Sequence, residues 1–275
     1  MNQAVNNKLR IPETLRKVKN IVGVFSAKGG VGKSAIALQL AISLKDKGYL
    51  VGLADADIYG PSQAVLLNSE PGELKITDNK IIEPLNKEGI SFISMGLISN
   101  EKMPVIWRGP MVSGAVMQLL SQTNWGELDY LIIDTPPGTG DVQLTLLQKI
   151  PLTGTVIVTT PQNVSISDAR KGIEMIKKLS IPIIGLIENM SWFQPDDSEK
   201  KYFLFGKDGG KDLAAEYKIS LLAQLPLIEK KGNKELHDLD QIKASFETLA
   251  DKIIELIKKV RSKKVDSIPQ TNVTK

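Results

Sequence analysis

Residues 27–34 read Ala-Lys-Gly-Gly-Val-Gly-Lys-Ser, a spacing able to hold a triphosphate. The pattern is GxxxxGK[ST] with Ala27 in place of the first glycine. Gly29, Gly30 and Gly32 let backbone N–H groups turn inward around phosphate oxygens. A helix starting where the loop ends adds a field that favours anions. Lys33 would reach the β- and γ-phosphates, and the Ser34 hydroxyl would ligate Mg²⁺, with Val31 and Ala35 completing the lining. Alanine suffices at position 27 provided the backbone there does not require a positive φ. The plainer alternative is a glycine-rich turn with no ligand. An apolar run before the loop and a helical pattern after it argue against that.

Three aspartates extend the site. Tyr130–Ile133 is a largely apolar run ending in Asp134, placed to hold the Mg²⁺ shell opposite Ser34. The segment Pro136–Asp141, PPGTGD, follows at once, and Gly138 is able to lend an N–H to the γ-phosphate. Asp55 and Asp57 close the run from Tyr49 to Leu53. Asp55 is expected in the metal shell and Asp57 beside the γ-phosphate, where a carboxylate can position water. Lys28 is a second cation in the same loop. Crowding it against Lys33 carries a like-charge cost, so it is expected to point outward, toward the nucleotide of a facing subunit. The alternative is a solvated lysine at the loop mouth.

These residues need a sheet whose strand ends converge. Apolar runs at Ile21–Phe25, Tyr49–Leu53, Tyr130–Ile133, Gly154–Thr159, Ile181–Ile187 and Leu221–Leu225 predict strands. Helical spacing is seen over Ser34–Leu44, Gln143–Ile150 and Ser165–Leu179, and from Gln241 to about Lys259. Near-continuous apolar strands alternating with helices predict a doubly wound α/β fold with a mostly parallel sheet and helices on both faces. Ligands then sit at the carboxyl ends of the strands. KITDNKIIEPL is expected to form a small β-hairpin insertion turning at Asp78-Asn79. The last helix carries Ile242, Phe246, Leu249, Ile253, Leu256 and Val260 on one stripe flanked by lysines. Docking on the sheet is favoured for it over a coiled coil or a membrane anchor. The expected division is an N-terminal tail over 1–19, a P-loop ATPase domain over 20–262 and a disordered tail over 263–275.

The 275 residues contain no cysteine and one histidine, His237, read as a solvated surface residue. Disulfides, thiol nucleophiles and thiolate-bound metals are therefore excluded from this chain's own side chains. Residues 1–20 and 251–275 each carry a net +4, which leaves the middle at −4. Two solvated basic tails explain this better than a nucleic-acid surface. Neither a signal peptide nor a bilayer-length apolar run is seen, so a cytoplasmic protein is expected. Neither nucleic acid nor membrane is expected as a partner.

KGGVGK[ST] resembles the deviant Walker A loop of the ParA/MinD superfamily of dimerising ATPases. The resemblance implies that Lys28 reaches across a face-to-face homodimer. DADIYGPS (55–62), WRGPM (107–111), WGELDYLIIDTPPGTGD (125–141), TTPQNVSISDARKGI (159–173), ENMSWF (188–193) and LFGKDGG (204–210) are similar to the Mrp/ApbC family of iron–sulfur cluster carrier ATPases. That family implies slow Mg²⁺-dependent ATP hydrolysis and transfer of an iron–sulfur cluster from scaffold to apo-protein clients. It also implies that Asn189 contacts adenine and that Pro226 borders the base. The family often carries CxxC shortly after ENMSxF. Here Pro195 and Ser198 fall at those positions, and neither suits iron, since such clusters select soft thiolates. Asp196 and Asp197 are expected to form a solvated turn. A carrier or assembly ATPase without its own cluster ligands is the expectation. A positioning ATPase that binds DNA or membrane through the basic C-terminal segment is the rival, with an ATP-dependent scaffold as a second.

Overall fold

The computed structural model describes residues 12–98, 109–195, 197–228 and 240–266, the side chains at 109, 110, 240–242 and 263–266 excepted. The chain runs α1 (Glu13–Arg16), β1 (Val18–Phe25), α2 (Lys33–Asp46), β2 (Val51–Asp55), α3 (Gln63–Leu66), β3 (Lys75–Ile76), β4 (Ile82–Glu83), β5 (Leu85–Lys87) and β6 (Ile90–Ser94). It continues through α4 (Gly109–Gln122), β7 (Leu128–Asp134), α5 (Asp141–Lys149), β8 (Gly154–Thr159), α6 (Asn163–Lys178), β9 (Ile183–Glu188), α7 (Gly209–Tyr217), β10 (Leu221–Gln224) and α8 (Asp240–Asp266).

Eight strands form one sheet in the order β10-β9-β8-β1-β7-β2-β6-β5. Every neighbouring pair is parallel except β5 with β6 at one edge. Alternation along the strands builds two cores. Val22, Val24, Leu53, Ile132 and Val156 face α2 and α8, packing with Ile36, Leu40, Leu44, Phe246 and Ile253. Phe25, Leu131, Ile133, Ile157 and Leu186 face the other way, toward Leu119, Leu146, Ile173 and Leu213 of α4 to α7. The doubly wound α/β architecture is thus observed, and β1 sits where the strand order turns, with β7 on one side and β8 on the other.

Several boundaries differ from the sequence reading. Strand β1 begins at Val18 and Leu15 of α1 is buried in the second core, so residues 13–19 belong to the fold rather than to a tail. Helix α8 docks on the sheet as expected. It continues to Asp266, through residues assigned to a disordered tail. Its buried stripe is Phe246, Leu249, Ile253 and Ile257, while Leu256 and Val260 are half-buried. Residues 267–275 and His237 lie outside the described residues, as does Ile242's side chain. The hairpin β3–β4 is antiparallel, and Thr77 and Ile81 close its turn around Asp78-Asn79, followed by Lys80 at φ 59°. Strand β6 and helices α4 and α7 were not anticipated. The opening GPMVSGAV of α4 and GGKD of α7 carry breaker residues that tertiary packing overrides. Among the described residues no helix is long and apolar enough to cross a membrane.

Candidate functional site

Loop 26–32 links β1 to α2 at the carboxyl edge of the sheet. Gly30 and Gly32 take positive φ, at 78° and 84°, whereas Ala27 does not, which is why alanine is tolerated there. Gly32 has a second reason to lack a side chain. A Cβ there would stand 2.3 Å from the Asn189 amide nitrogen. That amide donates to the Val31 carbonyl at 2.9 Å and ties the loop to the end of β9. Helix α2 starts at Lys33 with Gly32 as its N-cap and no side-chain cap, leaving first-turn N–H groups directed at the loop.

Strand register brings the acidic residues together. Asp134 on β7 is in register with Asp55 on β2, and Asp55 with Ser94 on β6. Asp134 and Asp55 are fully buried and Asp57 nearly so. The Lys33 ammonium is ion-paired with Asp134 Oδ1. Asp55 Oδ1 accepts from the Asp57 N–H at 3.1 Å, and Oδ2 accepts from the Gln63 N–H at 3.1 Å and the Ser94 hydroxyl at 2.9 Å. Burial, with the neighbouring Asp134 charge, pushes Asp55 up to about 7. Burial also raises Asp57, against the pull of Lys33. In this arrangement Asp55 holds both ends of the 57–63 loop through two hydrogen bonds and ties to β6 through a third, a role that spacing alone did not show.

The remaining predicted residues surround this centre. The Gly138 N–H donates to the Ser26 carbonyl at 2.9 Å, so PPGTGD lies directly against the P-loop strand. Lys28 is half-buried and joins no ion pair among the described residues. Asn189 and Pro226 line one side of a cavity of about 170 Å³, with Gly32 and Ala35 on another. Gln39 of α2 and Phe246 of α8 also line it, and the sequence reading missed both. Gln39 left a trace, being a lone amide in the otherwise apolar run IALQLAI. Gln63 was missed as well. Its Nε2 donates to the Ser34 carbonyl at 2.8 Å and to Asp134 Oδ2 at 2.9 Å.

Chemically, the arrangement offers the uncapped N–H groups of a helix start, a cation already engaged with a carboxylate, and an apolar cavity one helical turn away. Ser34 and Asp134 are adjacent through Gln63, and the buried Gln63 Oε1 lacks a partner. Hard oxygen donors beside an unpartnered acceptor suit Mg²⁺ with its retained waters. An iron–sulfur cluster does not fit residues 194–200. Ser198 N–H donates to the Pro195 carbonyl and Ser198 Oγ accepts from the Lys200 N–H, closing a turn with Asp197 exposed. Asp196 lies outside the described residues.

The family model described as ParA, NUBPL iron-transfer P-loop NTPase, matches residues 17–261. An iron-sulfur cluster carrier protein of Pseudomonas fragi is 51% identical over 214 residues, covering 78% of this chain and 75% of that protein. One from Synechocystis is 46% identical over 219 residues, covering 78% of this chain but 62% of its own length. Among solved structures, a nucleotide-binding protein of Archaeoglobus fulgidus in complex with ADP is 31% identical with TM-score 0.69, covering 87% of this chain and 90% of that one. The chain therefore belongs to the ParA family of P-loop NTPases, together with the NUBPL iron-transfer proteins.

Proposed function

We propose that this chain binds and slowly hydrolyses ATP with Mg²⁺ as a homodimer, in the service of iron–sulfur cluster transfer. The observation that carries the nucleotide reading is the glycine loop at the start of α2, with Lys33 and Asp134 paired beneath it. Lys33 exchanges Asp134 for the phosphates, and the loop N–H groups of residues 29–34 surround them. Asn189 and Pro226 border the base in the cavity that Gln39 and Phe246 complete. Mg²⁺, held by Ser34 and Asp134 with Asp55 behind them, would offset charge on the transferring phosphoryl group. Asp57, raised by burial, orients the attacking water at its carboxylate. Gly138 gives up Ser26 for the γ-phosphate, which lets the PPGTGD segment report the nucleotide state.

Homodimerisation over the carboxyl edge is supported by exposed Tyr59, Met111 and Val164, which follow β2, β6 and β8. Lys28 points its charge across that face. The cluster is cargo, and with no cysteine in the chain its thiolates come from partner proteins. The relatives' names favour this over a positioning ATPase. ATP turnover tests the enzymatic part. The parent should hydrolyse ATP, and Lys28→Ala should bind it equally well yet turn over at least about ten-fold more slowly. Equal turnover would make Lys28 a solvated surface group. Anaerobic incubation with iron and sulfide should give no thiolate charge-transfer band with this chain alone, and one should appear on a cysteine-bearing partner. A band with the chain alone would contradict the cargo reading.

A further inference from the structure

Gln63 follows the last residue of DADIYGPS, and nothing in the P-loop pattern calls for an amide there. The residue is fully buried. Its backbone N–H donates to Asp55 Oδ2, and its Nε2 bridges the Ser34 carbonyl and Asp134 Oδ2. One side chain thereby touches both residues proposed to hold the divalent cation. Its Oε1, buried on the same amide, has no hydrogen-bond donor. Leaving a buried acceptor unpaired costs about 1–3 kcal/mol. Flipping the amide does not relieve it, since Oε1 would then face two oxygens, Ser34 O and Asp134 Oδ2. Among the described residues no protein group supplies the donor that Oε1 lacks, and a water held in the site would supply it.

We infer that Gln63 is a positioning residue for the divalent cation: its Oε1 accepts from a water of the cation's shell while its Nε2 keeps Asp134 turned toward that shell. The inference rests on the Mg²⁺–nucleotide reading above and assigns to it a residue outside the loop. Lys33 occupies Asp134 Oδ1 in the present arrangement. When Lys33 turns to the phosphates, that oxygen is released, and Gln63 alone holds the other. Asp134 Oδ1 and Gln63 Oε1 are then two acceptors fixed on one frame. A magnesium ion retains most of its waters, so acceptors for those waters set its place as much as direct ligands do.

Calorimetry of ADP binding to the full chain, once with Mg²⁺ and once with EDTA, separates the readings. In the parent Mg²⁺ should tighten ADP. Gln63→Leu should lose about ten-fold or more of that tightening while its affinity in EDTA stays at the parent value. Should Gln63→Leu fail to fold, Gln63→Asn makes the same test by withdrawing the acceptor. Equal Mg²⁺ dependence in parent and Gln63→Leu would overturn the inference, as would a Gln63→Leu loss of affinity in EDTA as large as that in Mg²⁺. No ADP binding by the parent in EDTA or Mg²⁺ would overturn the nucleotide reading, and this inference with it.

Discussion

Asp134 and Glu188 each end a parallel strand on the same edge of the sheet, and both are fully buried. They are held in opposite ways. Asp134 is held by the Lys33 ammonium and the Gln63 amide, beside a second carboxylate, Asp55. Glu188 is held by neutral donors from three directions: the Ser191 hydroxyl at 2.7 Å, the Gln224 amide at 2.8 Å and the Gly210 N–H. A Cβ on Gly210 would stand 2.9 Å from Glu188 Oε2, so the LFGKDGG segment needs its last glycine for this contact. The first site depends on a cation with a long, movable stem. The second is built from backbone and short side chains that stay in place. A carboxylate secured by a departing cation suits exchange with a ligand, whereas one secured by fixed donors suits a frame. Glu188 pins β9, β10 and the start of α7, and its neighbour Asn189 carries that frame to Val31 of the loop.

Removing the cation should have the largest effect. Lys33→Ala leaves Asp134 and Asp55 facing each other in a buried place and should cost about 3–5 kcal/mol of stability in urea unfolding at pH 8. A loss no greater than that of a surface lysine would show that the pair is not a real charge site. Glu188→Gln puts an N–H against the Gly210 or Ser191–Gln224 donors and should cost about 1–3 kcal/mol, alike at pH 6 and pH 8. A strong pH dependence would erase the contrast between the two sites. The smallest effect is the pH slope of the parent without nucleotide. Folded Asp55, up to about 7, takes a proton in a range where an unfolded aspartate near 3.9 does not. Its protonation therefore stabilises the fold at pH 6, and this is lost as pH rises through 7, by about 1 kcal/mol between pH 6 and 8. Asp55→Asn should flatten that slope, and an unchanged slope would assign it elsewhere.

The cation-held site was largely legible from the sequence, because its chemistry is local. Ala27–Ser34 and Asp134 announce themselves by residue type next to an apolar strand. What was not legible depends on register and long-range contact. Asp55 and Asp134 are legible as members of one site, but their direct register and the Asp55 bond to Ser94 require β2 to lie between β7 and β6, which no local pattern reveals. Gln63 is an ordinary amide in sequence and becomes a bridge only when α3 folds over α2. The neutral-donor site was nearly invisible, since Glu188, Ser191, Gly210 and Gln224 span 36 residues and no spacing rule joins them. The fold class emerged correctly because strand and helix periods are local. Helix α4 did not, because packing overrode the breakers at its start, and strand β6 carries a strand-like ISFIS run too short to stand out.

The central claim is that the glycine loop and Lys33 grip a nucleotide. Isothermal calorimetry with Mg²⁺–ADP tests it most directly on the parent chain and on Lys33→Ala. One site per chain should bind with measurable heat in the parent, and binding should vanish in the variant. A parent that gives no heat of binding, or a variant that binds as tightly as the parent, would contradict the account.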